Sequence, residues 1–106
     1  MLIRSQDKSR LINLDNTREL RFWERAQGFD ITDCVCPIGR YSTKEKAMKV
    51  LDMIQEAYAD EKLIDYTVYL QQKEIEKMDN STILALRNEL IKKAVFQIPE
   101  DSEVEV

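Results

Sequence analysis

Three residues of one short segment, Arg21, Trp23 and Arg25, have the types and spacing of an anion-binding surface. Residues 18–25 alternate with the period of two that is typical of a half-buried strand, so these side chains should point to one face. Arg40 should lie nearby, just before a predicted helix. Guanidinium groups bind phosphate through paired hydrogen bonds, and an indole ring stacks on a base for roughly 1–3 kcal/mol. The pattern predicts a pocket for a small anionic ligand such as a nucleotide. The alternative is that Trp23 packs in a core or an interface and the arginines are its solvated neighbours.

Three further residues extend this candidate site. Tyr69, Arg87 and Asn88 fall on predicted helices and would contribute to the pocket only if those helices overhang the sheet. The alternative for each is an ordinary exposed position on a helix. The predicted ligand-binding set is therefore Arg21, Trp23, Arg25, Arg40, Tyr69, Arg87 and Asn88.

The two cysteines and the absence of histidine argue against a metal site and against catalysis. Cys34 and Cys36 form a C-x-C pair, and the chain contains no histidine, so one chain lacks the ligands of a usual tetrahedral zinc site. Within a strand, such cysteines are more often small buried hydrophobic residues. The commonest general base is also missing. We therefore expect a binding protein rather than an enzyme, with no metal and no cofactor.

Composition and charge indicate one small cytosolic domain. The chain has 106 residues, of which 43% are hydrophobic and 34% charged, and it has no apolar run of the length that a membrane span needs. Its net charge is −4, with residues 1–46 near +2 and residues 47–106 near −6. That balance disfavours nucleic-acid binding, which neutralises many phosphates, but two or three arginines suffice for a small anion.

The element that should organise the fold is an amphipathic helix over residues 43–60. Ser42 and Glu45 have the spacing of a capping box, which places the start of the helix near residue 43. We expect Val50, Leu51 and Ile54 to be buried. One apolar stripe runs along the helix and contains Ala47, Val50, Leu51, Ile54, Ala57 and Tyr58.

Residues 1–41 are predicted to form one antiparallel sheet of three to five strands under this helix. Two short apolar–polar segments flank residues 6–9, a polar tetrapeptide suited to a hairpin turn. The strand at residues 18–25 follows. Another strand leads to Pro37, which should end it or make it bulge.

The second half of the chain is predicted to be helical. Residues 63–93 should form a helical hairpin, although residues 63–70 could also be a strand. Residues 94–98 are predicted to form a short final strand, which Pro99 stops. Residues 99–106 are predicted to form an acidic, frayed tail. The predicted fold is a single α+β domain.

The predicted hairpin carries more apolar surface than one small domain can cover. Its rows are centred on Val68, Ile75, Leu84, Leu86 and Ile91. We therefore expect a homo-oligomer. The alternative is a monomer in which all helices pack on one face of the sheet.

Several stretches of the chain resemble small proteins of Gram-positive phages and prophages. They are the opening MLIRSQDKSRLINLDN, the helix GRYSTKEKAMKVLDMIQEAY and the closing VFQIPED. Relative to shorter members, the region from about residue 63 to residue 92 is similar to an insertion. The order of a sheet followed by long helices is similar to the phage Thoeris anti-defence proteins of the first-described type, which assemble as oligomers and sequester cyclic nucleotide immune signals. The resemblance aligns no binding residue with this chain.

The resemblance implies a phage-encoded anti-defence protein that acts in the host cytoplasm by sequestering a cyclic nucleotide. Two alternatives remain open. One is a protein-binding inhibitor of a bacterial defence nuclease, similar to an anti-CRISPR protein, in which acidic side chains imitate nucleic-acid phosphate; its partner would be a host defence protein. The other is a structural phage domain with no small ligand.

Overall fold

The computed structural model describes residues 1–34, 36–70, 77 and 79–106, and for residues 65–70 and 90–93 it describes the backbone alone. Within these residues the chain is α+β, with two sheets of three strands and two α-helices. In chain order the elements are β1 (Leu2–Arg4), β2 (Leu11–Asn13), a 3-10 turn (Leu14–Asn16), β3 (Arg21–Arg25), β4 (Gly28–Thr32), β5 (Pro37–Tyr41), α1 (Lys44–Leu70), α2 (Asn80–Ala94), β6 (Val95–Gln97) and a second 3-10 turn (Asp101–Glu103).

The first sheet joins the two ends of the chain. β1 pairs antiparallel with β2 and parallel with β6, so the strand order is β2-β1-β6. The turn between β1 and β2 is held by Asp7, whose carboxylate accepts hydrogen bonds from the hydroxyls of Ser5 and Ser9, each at 2.7 Å. Lys8 adopts the left-handed conformation there, with φ of 66°. The predicted N-terminal hairpin and the predicted final strand are both confirmed.

The prediction of one N-terminal sheet is wrong, because β3, β4 and β5 form a second, separate antiparallel sheet. After β2 the chain enters the 3-10 turn at Leu14–Asn16, where the Asn13 side chain accepts a hydrogen bond from the Asp15 backbone N–H at 3.0 Å. This turn leads the chain out of the first sheet, and the free edge of β1 is then paired by β6.

Gln6 connects the two sheets. Its backbone N–H donates to the Ile38 carbonyl of β5 at 2.8 Å. Its side-chain amide donates to the Arg40 carbonyl at 3.1 Å and accepts from the Arg40 N–H at 3.0 Å, as a neighbouring strand would. The edge of β5 is thereby satisfied by the backbone and side chain of one residue, Gln6, instead of a strand.

Helix α1 packs on the second sheet. It has 27 residues and contacts β3, β4 and β5. Of the three residues predicted to be buried, Val50 and Ile54 are buried and Leu51 is only half-buried at the edge of the core. The largest fully buried side chains come from both sheets, the helix and the C-terminal segment: Ile3, Ile31, Ile38, Ile98 and Val50. As far as the helices are described, neither contains a segment apolar and long enough to cross a bilayer.

The predicted capping box at the start of α1 is not formed. The Ser42 hydroxyl and N–H both donate to the carboxylate of Asp101, with the N–H bond at 2.8 Å. Thr43 caps the helix instead, since its hydroxyl oxygen accepts from the Lys46 N–H at 3.2 Å. A carboxylate beside the first turn complements the helix dipole, and here the C-terminal segment supplies it.

The predicted end of this helix at residue 60 is also wrong. No glycine or proline interrupts residues 61–70, and α1 continues to Leu70. The helical interpretation of residues 63–70 is therefore confirmed, but the expected break before a hairpin at residue 63 is absent. α2 contacts α1. The sequence predicts the break of the hairpin at residues 79–81, and α2 does begin there, with the Asp79 side chain accepting a hydrogen bond from the Thr82 N–H at 2.8 Å. Residues 71–76 and 78, which are predicted to be helical, lie outside the described part of the chain.

The last residues are not a frayed tail. Val104 is 5% exposed and belongs to the core, and Glu103 folds back to accept a hydrogen bond from the Glu100 N–H at 3.0 Å. The Tyr41 hydroxyl donates to the Pro99 carbonyl at 2.8 Å. The segment is ordered because it contributes an apolar side chain to the core.

Candidate ligand-binding face of the second sheet

A tight turn fixes how β3 and β4 align. Two residues, Ala26 and Gln27, separate the strands, so Arg25 lies opposite Gly28. Gly28 has φ of 150°, and a Cβ atom there would lie 2.9 Å from the Tyr41 carbonyl oxygen, so glycine is required. The register that follows places Trp23 opposite Asp30.

The next strand brings Arg40 into the same row. Asp30 pairs with Trp23 on one side and with Arg40 on the other. Because side chains alternate along a strand, Arg21 and Arg25 share the outer face with Trp23. The four residues predicted from β3 and β5 thus lie on one exposed face.

The opposite face of the sheet is apolar. Phe22 and Phe29 stack there with ring centroids 5.6 Å apart, and the Lys44 ammonium lies 5.7 Å from the Phe22 ring. Packing of these two rings toward α1 explains why Arg21, Trp23 and Arg25, which alternate with Phe22 along β3, project outward.

Asp30 lies at the centre of the outer face and is only 2% exposed. Its Oδ2 atom is 2.7 Å from Arg25 Nε, and its Oδ1 atom is 3.6 Å from Arg40 Nε. The contact with Arg25 is an ion pair, since Oδ2 accepts no well-aligned hydrogen bond. Two guanidinium groups therefore cover one buried carboxylate.

Both arginines meet Asp30 through Nε, so their terminal Nη groups remain available. Within the described part of the chain, the contacts of Arg25 and Arg40 with Asp30 are made by Nε, and their Nη groups donate no side-chain hydrogen bond. A guanidinium group held at Nε presents its two Nη atoms as a fork that matches phosphate or carboxylate oxygens.

A pocket of about 540 Å³ opens beside this arginine pair. That volume lies within the range of small-molecule sites. Its walls are the two arginines, the β3–β4 turn, and the end of β5 with the residue that follows it. The lining residues are Arg25, Ala26, Gln27, Gly28, Asp30, Arg40, Tyr41 and Ser42.

A second pocket, of about 370 Å³, lies on the other side of Arg25. It contains both remaining predicted residues of β3, and its lining residues are Arg18, Glu19, Arg21, Trp23, Arg25, Thr32, Asp33 and Cys34. Arg21 is less available than Arg25, because its Nη2 atom donates to Glu19 at 2.8 Å. Arg25 is the wall that both pockets share.

Trp23 lies outside the hydrophobic core. Its side chain is 49% exposed and lines the second pocket. The alternative in which Trp23 packs in the core of this chain is therefore wrong.

Tyr41 and Ser42 form a fixed wall of the first pocket. Burial, and to a lesser extent the nearby Asp101, Glu100 and Glu103 carboxylates, raise the pKa of Tyr41 well above its ordinary value. The Tyr41 hydroxyl therefore stays protonated and donates to Pro99, as noted for the C-terminal segment. Hydrogen bonding from the Ser42 N–H lowers the pKa of Asp101, which keeps this carboxylate charged.

The structure does not bring the predicted helical residues to this face. Arg87 and Asn88 are exposed on α2 and line neither of the two pockets. Tyr69 belongs to the last turn of α1, where the side chains lie outside the description.

The cysteines follow β4 rather than lying within a strand. Cys34 is exposed and Cys36 half-buried, and both are free thiols, so the expectation of buried strand residues is wrong. In the described residues, no group of three or more histidine, cysteine, aspartate or glutamate side chains is placed to hold a metal ion.

The residue that sequence reasoning missed is Asp30. A signal was present, because a two-residue turn at Ala26 and Gln27 sets Asp30 opposite Trp23. An acidic residue in the middle of a strand, facing the same side as three arginines, indicates an ion pair.

Comparison of the chain with known protein families, with curated proteins and with solved structures gave no match in any of the three.

Proposed function

We propose that this protein binds a nucleotide on the outer face of its second sheet. The observation that carries the proposal is the arrangement of Arg25 and Arg40, which meet the buried Asp30 carboxylate through Nε and both line the first pocket. Such preorientation lowers the conformational entropy lost when the guanidinium groups bind a phosphate.

The two pockets support binding of a ligand with two different ends. The phosphate would lie at Arg25 and Arg40, and the base would stack on the exposed indole of Trp23 in the second pocket. Trp23 and Arg40 lie on the outer strands of the sheet with Asp30 between them. Neighbouring strands are about 4.8 Å apart, so the span between Trp23 and Arg40 is roughly two strand spacings, which a sugar between base and phosphate bridges.

The biological role within this proposal follows from the resemblance to small phage proteins. A phage-encoded anti-defence protein that sequesters a cyclic nucleotide immune signal in the host cytoplasm needs tight binding and no catalysis. Homo-oligomerisation is part of the same proposal. It is supported by large apolar side chains that remain exposed on the helices, such as Leu63 (64%) and Leu84 (55%). Leu86 is half-buried, whereas Ile75 and the side chains of Val68 and Ile91 lie outside the described residues.

Calorimetric titration with a panel of cyclic and linear adenine nucleotides tests the proposal. The informative variants are Arg25→Lys and Arg40→Lys, which keep the charge and the pairing with Asp30 but remove the fork. We expect each to weaken binding roughly tenfold or more, since hydrogen bonds to charged groups contribute about 1.5–3 kcal/mol.

Arg4→Lys is the matched control. Arg4 lies in the first sheet, where its guanidinium group donates to the Lys8 carbonyl, and its substitution should leave affinity unchanged. Unchanged affinity in all three variants would mean that only general charge matters, and an equal loss in all three would mean that the effect is not specific to the site. If no nucleotide gave detectable heat, the proposal would be wrong, and a protein partner would become the better hypothesis.

A further inference from the structure

Among the described residues, Asp30 is the one acidic group buried beneath the proposed phosphate position. It faces Arg25 on β3 and Arg40 on β5, and the indole of Trp23 lies in the same cross-strand row. Burying a carboxylate is unfavourable unless it is paired, and both pairing groups are also the proposed ligand-binding groups. The negative charge of Asp30 therefore repels any anion that enters the site.

The positive and negative charges of the trio formed by Arg25, Arg40 and Asp30 do not cancel. Two guanidinium groups and one carboxylate have a net charge of +1. A phosphodiester has a charge of −1 and would be neutralised by the trio. A terminal phosphomonoester, with a charge of about −1.5 to −2 at pH 7, would leave excess negative charge next to the buried carboxylate.

We infer that Asp30 determines specificity and restricts the ligand to nucleotides whose phosphate is a singly charged diester. The inference depends on the proposed nucleotide site and adds the charge state of the phosphate. A diester also presents two non-bridging oxygens, which suits one fork from Arg25 and one from Arg40. Terminal monophosphates and polyphosphates are the class that Asp30 excludes.

The test compares 3′,5′-cyclic AMP with 5′-AMP, which share base and sugar but differ in phosphate charge. For the wild-type protein at pH 8, calorimetry should give an affinity for the cyclic nucleotide roughly two- to fivefold higher, the size of an exposed charge interaction. The second phosphate ionisation has a pKa near 6, and the chain has no histidine. At pH 5 the affinity for 5′-AMP should therefore rise toward that for the cyclic nucleotide, whose affinity should not change.

Asp30→Asn removes the buried charge while keeping the side-chain shape. We expect it to raise the affinity for 5′-AMP relative to the cyclic nucleotide at pH 8, so that the preference is lost or reversed. Asp60→Asn is the control, because Asp60 is exposed on α1 and lines neither pocket; it should keep the wild-type preference. A thermal melt shows whether Asp30→Asn folds, and if it does not, the wild-type comparison at the two pH values decides.

The outcomes separate this inference from the proposal on which it rests. Equal or tighter binding of 5′-AMP by the wild-type protein at pH 8 would overturn the role of Asp30 and leave the nucleotide site standing. Binding of neither nucleotide at either pH would overturn both.

Discussion

Replacement of Trp23 by alanine separates a structural role of this residue from a ligand-binding role. A large aromatic side chain buries 150–250 Å² when enclosed, and Trp23 is 49% exposed. The buried part is therefore roughly 100 Å², which at about 25 cal/mol per Å² gives an upper limit near 2.5 kcal/mol. We expect a loss of about 1–2 kcal/mol in the free energy of unfolding, below the 3–5 kcal/mol typical of a core tryptophan.

Nucleotide affinity should change more clearly. Loss of base stacking is worth about 1–3 kcal/mol, or 5- to 150-fold in the dissociation constant. Trp23 is the only tryptophan in the chain, so quenching of intrinsic fluorescence in the wild-type protein reports stacking directly, and calorimetry measures the affinity of the variant.

Phe22→Leu is the matched control for this experiment. Phe22 is the neighbour of Trp23 on β3 but stacks on Phe29 on the inner face. We expect it to lower the free energy of unfolding, measured by urea denaturation followed by circular dichroism, and to leave affinity unchanged. Two results would refute the reasoning: a stability loss above about 3 kcal/mol for Trp23→Ala, or unchanged affinity for a nucleotide that the wild-type protein binds.

Three other predictions concern the fold and assembly. Ile54→Ala should lower the free energy of unfolding, measured by urea denaturation, by about 2–5 kcal/mol because Ile54 is buried. Leu63→Ala should change the free energy of unfolding of the monomer by less than about 0.5 kcal/mol, because Leu63 is exposed. Equal losses in the two variants would contradict this difference in burial. Hydrogen bonds from Ser9 and then Ser5 lower the pKa of Asp7 from 3.8 to about 2. A carboxyl group whose pKa is lowered by folding stabilises the folded state at pH values above its unfolded-state pKa. It loses that contribution as the pH falls toward its folded-state pKa. The melting temperature should thus decrease between about pH 4 and pH 2, and it should decrease by less in the Asp7→Asn variant. If the melting temperature of that variant fell with pH as steeply as that of the wild-type protein, the lowered pKa of Asp7 would not be the cause. Light scattering at tens of micromolar should give a mass above that of one chain, and a monomer mass would refute homo-oligomerisation.

Local signals in the sequence predicted the elements that depend on neighbouring residues. The hairpin turn at residues 6–9, the period of two in β3 and the helix around Val50 all follow from interactions within a few positions. The shared face of Arg21, Trp23 and Arg25 was predictable for the same reason. Alternation along a strand places them together whatever the strand pairs with.

Contacts between distant parts of the chain decided the rest. Asp101 replaces the local capping box at Ser42, 59 positions away, and β6 completes the first sheet by pairing with β1 from the other end of the chain. Register alone places Asp30 between Trp23 and Arg40. The sequence by itself determined which side chains could bind an anion, because residue type and period set their chemistry and their face. Only the tertiary structure decided that a buried carboxylate lies among them, since strand pairing depends on burial of the opposite face against α1.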